Sequence, residues 1–292
     1  MRSRLPIIFA IMLICLLSIA LLLCWRQTNA WMVRFEQDKK EWFGKFEAER
    51  KAYTDQFLPA SQRFQLLDPQ MAPKAIKDSV VRGSRLMLQT QKELPDNVGN
   101  NLDCSNCHFS GGNTYGGKNG GISLVGVTNE YPAVNEDGSK YTLADRINGC
   151  FMRSMNGVPL NENSAEMLAF LSYMEWISRD VAPSAQVPWI GLKKLRLEHQ
   201  PDKTRGEQIY QEKCSMCHGK NGEGQKREHD LSYPAVWGER SYNDAAGMNN
   251  IHKFASFIYN NMPYQNPVLT VEEAYDVAQY VHEQPRPLFK QQ

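Results

Sequence analysis

Cys104-Ser105-Asn106-Cys107-His108 has the same spacing as Cys214-Ser215-Met216-Cys217-His218, 110 positions further along (104 to 214). Two cysteines three positions apart, followed at once by histidine, is the pattern by which thioether bonds fix haem c, the histidine serving as one axial iron ligand. Two such stretches in a chain of 292 residues predict a dihaem c-type cytochrome. The expected cofactors are two covalently bound haem c groups, one on Cys104, Cys107 and His108, the other on Cys214, Cys217 and His218.

The surroundings of the two motifs match. A helix is expected from Asp78 to about Gln91 before the first motif, and Arg205 to Lys213 is expected to run as a helix into the second. Far downstream of the first motif, Asn163-x-x-Glu166 reads as a capping box, and Met167, Phe170, Leu171, Met174 and Ile177 recur at helical spacing. Thr270-x-x-Glu273 opens the corresponding helix of the second half, with the stripe Ala274, Val277, Ala278 and Val281. Helix, haem motif, long loop, helix thus occurs twice, a duplication of architecture. The glycine-rich stretch 111–121 follows no strand and ends in no Gly-Lys-Ser/Thr, so it reads as packing around a haem rather than a phosphate cradle. The predicted fold is all-α: two tandem class I-like cytochrome c domains with an N-terminal transmembrane helix. The expected divisions are a membrane anchor over 1–30, a juxtamembrane helical segment over 31–72, a first cytochrome c domain over 73–182, a proline-containing linker over 183–203, and a second cytochrome c domain over 204–292.

Residues Leu5 to Trp25 are apolar except for Ser18, and at about 1.5 Å per residue they span roughly the 30 Å of a bilayer core. A cleaved signal peptide is the competing reading, but the run is long for one and lacks a good small-x-small cleavage site. The flanking charge is weakly contrary to a periplasmic chain, with Arg2 and Arg4 before the run and Arg26, Arg34, Lys39, Lys40 and Lys45 after it, and the haem motifs override it. Haem c attachment takes place outside the bacterial cytoplasmic membrane, which puts the bulk of the chain in the periplasm on a single-pass anchor. With 33 basic and 32 acidic residues, a net charge of +1, nothing points to a nucleic-acid partner. Seven cysteines divide into four for the haem motifs, Cys15 and Cys24 in the apolar run, and Cys150.

Each iron has a second axial position to fill, usually from the loop before the closing helix. In the second domain Met262, 44 residues after His218, stands there, with Met248 and His252 as alternatives. Counting the same way, His108 plus 42 reaches Cys150, with Met152 and Met155 as alternatives. The matched spacing, the liability of a spare thiol in an exported chain, and the flanking Arg146 and Arg153 favour Cys150 as a haem ligand. A thiolate ligand lowers the potential of the first haem and a thioether raises that of the second, so electrons would run from first to second.

The run Arg146-Ile147-Asn148-Gly149-Cys150-Phe151-Met152-Arg153-Ser154-Met155-Asn156-Gly157, with Asn101-Leu102-Asp103 before the first motif, resembles the catalytic haem domain of the dihaem thiosulfate dehydrogenases (tetrathionate synthases). The similarity covers roughly Pro69 to Glu283. It implies His108 and Cys150 on the active-site iron, His218 and a methionine on the other, and Arg146, Arg153 and Ser154 lining the substrate pocket. Two departures stand out: Asn261 occupies a position where some members carry lysine, and 131–145 offers only Lys140 where others have a further arginine.

The expected reaction is oxidation of two thiosulfates to tetrathionate, releasing two electrons to two one-electron haems. Cys150 would be the nucleophile, Arg146 and Arg153 would hold the dianions, and Ser154 would orient a sulfonate oxygen. The alternative reading is a non-catalytic dihaem electron-transfer cytochrome c. Either way the anchor suggests a redox partner at the membrane, such as a cytochrome, an oxidase or a quinone-linked complex.

Overall fold

Each haem motif is led by one helix and followed at a distance by another, and in both halves the two helices cross. The computed structural model describes residues 25–30, 33–34, 37, 65–135, 137–181, 192, 195–198, 200–226 and 232–290. The chain divides into one unit over Met1–Leu58 and a second over Pro59–Gln292. In the first unit residues 25–30 are helical. The expected membrane run over 5–25, apart from Trp25, lies outside the described residues, as do most of the juxtamembrane segment expected over 31–72 and most of the linker over 183–203. Among the described residues no helix is long and apolar enough to cross a membrane.

The second unit holds both haem motifs. Helix α1 (Lys77–Leu88) buries Val80, Leu86 and Met87, continues after a break as the short α2 (Thr90–Glu93), and packs on α4 (Ala165–Ser178). The crossing is tight: a Cβ on Gly83 would run into the Ala169 carbonyl and the Tyr173 side chain. In the other half α5 (Lys203–Lys213) crosses α8 (Val271–His282), and a Cβ on Gly206 would run into the Asp276 carbonyl. The duplication read from the motifs therefore extends to the packing. In each half a glycine on the leading helix lets two backbones approach more closely than any side chain permits.

Helix α3 (Leu143–Arg153) carries Cys150. It is opened by a capping box in which Thr142 Oγ1 accepts from Asp145 N at 3.1 Å and Thr142 N donates to Asp145 Oδ2 at 2.7 Å. The short α6 (Ser215–His218) holds the second motif, and α7 (Ile251–Asn261) precedes Met262. The box expected at Thr270 and Glu273 is present, with bonds of 3.1 and 2.8 Å. The one expected at Asn163 is displaced: Ser164 caps α4, accepting from Met167 N at 3.1 Å, and Glu166 pairs instead with Arg82 across the helix crossing.

The fold is largely helical. Two antiparallel ladders of two residues each add to the all-α expectation: β1 (Ala133–Val134) with β2 (Lys140–Tyr141), and β3 (Gln225–Lys226) with β4 (Ser232–Tyr233). Residues 67–71 are fastened to the first domain, Asn113 Nδ2 donating to the Leu67 carbonyl at 2.9 Å and Trp176 Nε1 to the Asp68 carbonyl at 3.1 Å. The two halves are stitched together in turn. Gly121 N donates to the buried Asn261 Oδ1 at 2.8 Å, and Phe109 packs edge-on against Phe257 and Tyr264.

Candidate haem centres and active site

The first motif is shaped by its neighbours in sequence. Cys104 N donates to Thr90 Oγ1 at 3.0 Å, and Asp103 N to Asn106 Oδ1 at 2.8 Å, which fix the backbone at the start of the motif. His108 Nδ1 lies 2.9 Å from the Ile122 carbonyl and His218 Nδ1 lies 2.8 Å from the Pro234 carbonyl. A carbonyl can only accept, so in each ring Nδ1 carries the proton and Nε2 keeps its lone pair for a metal. Burial pushes His108 down to about 4 and lowers His218 as well, so both rings are neutral and ready to ligate.

Two cavities accompany the motifs. The first, about 260 Å³, is bordered by Cys104, Cys107 and His108 on one side and by α3 and α4 on the other. Cys150, Arg146 and Ser154 all border it, as do Tyr131, Phe151 and Met155. The second, about 410 Å³, is bordered by Cys214, Cys217 and His218 and, from the facing side, by both Met248 and Met262. His252, the remaining alternative ligand, is engaged elsewhere, with Nδ1 2.9 Å from Tyr275 Oη. The second cavity is also bordered by Ser105, Phe109 and Ser110 of the first domain, and Leu102, Asn106 and Cys107 border both cavities. The two sites share a wall.

None of Cys104, Cys107, Cys150, Cys214 and Cys217 is in a disulfide. Paired free thiols beside a neutral imidazole on a largely apolar cavity are what covalent haem c requires. The residues present fit the cofactor in both halves.

On α3, residues 146, 149, 150 and 153 share one face. Arg146 Nη1 lies 2.9 Å from Cys150 Sγ, and negative charge on that sulfur raises Arg146 further above its ordinary value. Arg153 does not border the cavity; its guanidinium folds back over Gly149 toward Tyr141, in space that a Cβ at 149 would fill. Of the expected active-site set, then, Arg146, Cys150 and Ser154 meet at the cavity while Arg153 stands beside it. Tyr131 was not anticipated. The β1–β2 hairpin brings it to the cavity wall, its ring 6.2 Å from that of Tyr141, and burial raises its phenol so that it stays protonated. The capping box at Thr142 and Asp145 was the one local signal that a helix, and not a loop, presents Cys150.

Two cavities with two such motifs define a c-type cytochrome that carries two covalently bound haems in two domains. A family model described as "Cytochrome c" matches residues 204–285, and one described as "SoxA/TsdA, cytochrome c domain" matches residues 97–182. The chain is 40% identical over 217 residues to the thiosulfate dehydrogenase of Psychrobacter arcticus, covering 72% of this chain and 64% of that one. It is 39% identical over 220 residues to the thiosulfate dehydrogenase of Allochromatium vinosum, covering 74% and 82%. The solved thiosulfate dehydrogenase (TsdBA) from Marichromatium purpuratum, in its as-isolated form, is similar with a TM-score of 0.70 at 31% identity, over 76% of this chain and 49% of that one. The chain belongs to the thiosulfate dehydrogenase family. It spans less than two thirds of the Psychrobacter relative and about half of the Marichromatium chain.

Proposed function

We propose that the protein is a membrane-anchored periplasmic thiosulfate dehydrogenase that joins two thiosulfate ions into tetrathionate at Cys150. The observation that carries this reading is the 2.9 Å approach of Arg146 Nη1 to Cys150 Sγ on the wall of the first haem cavity. An isolated structural thiol needs no guanidinium, whereas a sulfur that must meet dianions does.

In this reading His108 and Cys150 hold the first iron, and His218 and Met262 the second. Met262 is preferred to Met248 because it follows α7 directly, with its backbone fixed by a 2.8 Å bond to the Ile258 carbonyl. When bound, the two haems each accept one electron, which matches the two electrons that the reaction releases.

The protein side chains do the rest. Arg146 offers planar, multi-donor positive charge at the cavity, and Arg153 adds a second guanidinium on the same helix face, together offsetting the repulsion between two dianions. Ser154 and the protonated Tyr131 phenol orient sulfonate oxygens. The sulfane sulfur of the first thiosulfate bonds to Cys150 Sγ, giving a cysteinyl thiosulfonate and two electrons. The sulfane sulfur of the second thiosulfate then attacks that same sulfane sulfur. The bond to Cys150 breaks, the cysteine sulfur departs with the electron pair, and tetrathionate leaves; no proton is gained or lost.

The wall of Leu102, Asn106 and Cys107 common to both cavities supports direct electron transfer between the haems. The apolar run over 5–25 would keep the protein at the membrane, where an oxidase, a quinone-linked complex or a cytochrome that serves one can accept the electrons. Mixing purified ferric holoprotein with thiosulfate in the absence of any acceptor tests the reading. Both haems should become reduced, with one tetrathionate formed per two electrons stored. A holoprotein that stays ferric in thiosulfate, yet is reduced normally by dithionite, would be an electron shuttle and not this enzyme.

A further inference from the structure

An α-helix leaves its last four carbonyls without partners inside the helix, and in α3 these belong to Cys150, Phe151, Met152 and Arg153. The first two are met locally. The Cys150 carbonyl accepts from Ser154 N at 2.9 Å and from Met155 N at 3.0 Å, and the Phe151 carbonyl accepts from Gly157 N at 2.9 Å. The other two are met by one residue of the second domain. Asn243 N donates to the Arg153 carbonyl at 3.1 Å, and Asn243 Nδ2 donates to the Met152 carbonyl at 2.9 Å. The Ser154 carbonyl, next in line, accepts from Asn100 Nδ2 at 2.9 Å, and the same amide reaches the Ser241 carbonyl at 3.2 Å.

Both amides are held in place. Asn243 is 3% exposed and its Oδ1 accepts from Ala245 N at 3.2 Å, which leaves the NH2 group to face α3. Asn100 is 4% exposed, and its Oδ1 accepts from Leu102 N at 3.1 Å. Asn156 Nδ2 adds a further bond to the Ser241 carbonyl, at 2.6 Å. Between Ser241 and Asn243 stands Tyr242, which borders the second cavity. One short segment therefore lines the second haem site and closes the helix that carries Cys150.

We propose that Asn243 and Asn100 are positioning residues through which the second domain sets the last turn of α3, and with it Cys150, Arg153 and Ser154. Neither borders the first cavity. They act through the backbone: Cys150 lies within one turn of the capped end, and Arg153 and Ser154 are themselves held by their carbonyls. Helix ends fray when such groups are unpaired, whereas a paired end keeps its side chains in one geometry. The inference deepens the proposed chemistry and rests on it for the role of Cys150.

The test uses holoprotein with Asn243→Ala, Asn243→Asp and Asn100→Ala. It is read by hydrogen exchange over residues 150–157 and by EPR of the oxidised first haem, identified as the signal that Cys150→Ala alters. Asn243→Ala keeps the backbone donor and removes one neutral hydrogen bond, so exchange across this stretch should quicken roughly 5-fold. Asn243→Asp sets a carboxylate oxygen against the Met152 carbonyl and should quicken it further. In all three the g-values of the first haem should shift, because the sulfur moves with its turn. Asn249→Ala is the control: it removes a 2.7 Å bond from Asn249 Nδ2 to the Asp244 carbonyl nearby, touches no carbonyl of α3, and should change neither readout. Should Asn243→Asp fail to mature, the two alanine variants decide. Unchanged exchange and unchanged g-values in Asn243→Ala and Asn100→Ala would overturn the proposal, and so would an equal response from Asn249→Ala. If Cys150→Ala alters no EPR signal, ligation by Cys150 fails, and the exchange rates decide the positioning claim by themselves.

Discussion

Replacing Gly149 with alanine separates what helix α3 does for the fold from what one of its faces does for chemistry. Gly149 is buried mid-helix, and a Cβ there would take the place of Arg153 Nη2 and come 3.4 Å from Tyr141 Oη. The displaced atom is the far end of a flexible side chain, so the backbone can stay where it is. Inside a helix alanine is favoured over glycine by about 1 kcal/mol, so stability should be unchanged or rise by up to about that amount. The guanidinium, however, must leave the face it shares with Arg146 and Cys150. If Arg153 holds a substrate sulfonate through a charge-assisted hydrogen bond worth about 1.5–3 kcal/mol, its loss lowers kcat/KM by roughly 10- to 160-fold. Steady-state thiosulfate oxidation with an artificial acceptor, alongside thermal unfolding of the same holoprotein, reads both quantities. An unchanged kcat/KM in Gly149→Ala, with Arg153 seen to have moved, would refute the role assigned to Arg153.

Other consequences follow from the same geometry. Phe151 is 1% exposed and meets Phe170 edge-on at 6.1 Å, so Phe151→Ala should cost about 3–5 kcal/mol, seen as an earlier denaturation midpoint. The capping carboxyls of Asp145 and Glu273 are held below their ordinary values of 3.8 and 4.5, chiefly by the backbone N–H of Thr142 and of Thr270. Groups lowered in this way bind protons less readily folded than unfolded. Their contribution is complete above those values and is lost as pH falls through the lowered ones. Thr142→Ala and Thr270→Ala should each lose about 1 kcal/mol at neutral pH, whereas Asp145→Asn and Glu273→Gln, which remove the titrating carboxyl, should show a shallower loss of stability below pH 4.5. Deleting residues 1–30 behind a cleavable export signal should move the protein from the membrane to the soluble periplasmic fraction without altering its haem spectrum; retention at the membrane would place the anchor elsewhere.

The haem attachment residues were legible because their chemistry is written in five consecutive positions, and the stripe of α8 because its box at Thr270 and Glu273 is local too. What the sequence does not make legible is non-local. Asn163 and Ser164 are both acceptable caps, and the choice falls to Ser164 once Glu166 is drawn to Arg82 on a different helix. Tyr131 reaches the site only through a two-residue ladder too short to leave a periodic signal. Arg153 sits at the right spacing from Arg146 to share its face, yet its guanidinium is directed by the missing side chain at Gly149. Nor does spacing reveal that Cys107 of the first motif and Phe109 just after it border the second cavity, which depends on how the two halves pack.

The proposed chemistry requires the sulfur of Cys150 to be both iron ligand and nucleophile. Low-temperature EPR of the oxidised holoprotein, compared with that of Cys150→Ala, tests this most directly. The parent should give two low-spin signals, one with the narrow g-spread of imidazole–thiolate ligation, and the variant should lose that one while keeping both covalent haems and the other signal. Identical spectra for the two proteins would show that a different group completes the first haem, and the proposed chemistry would fall with it.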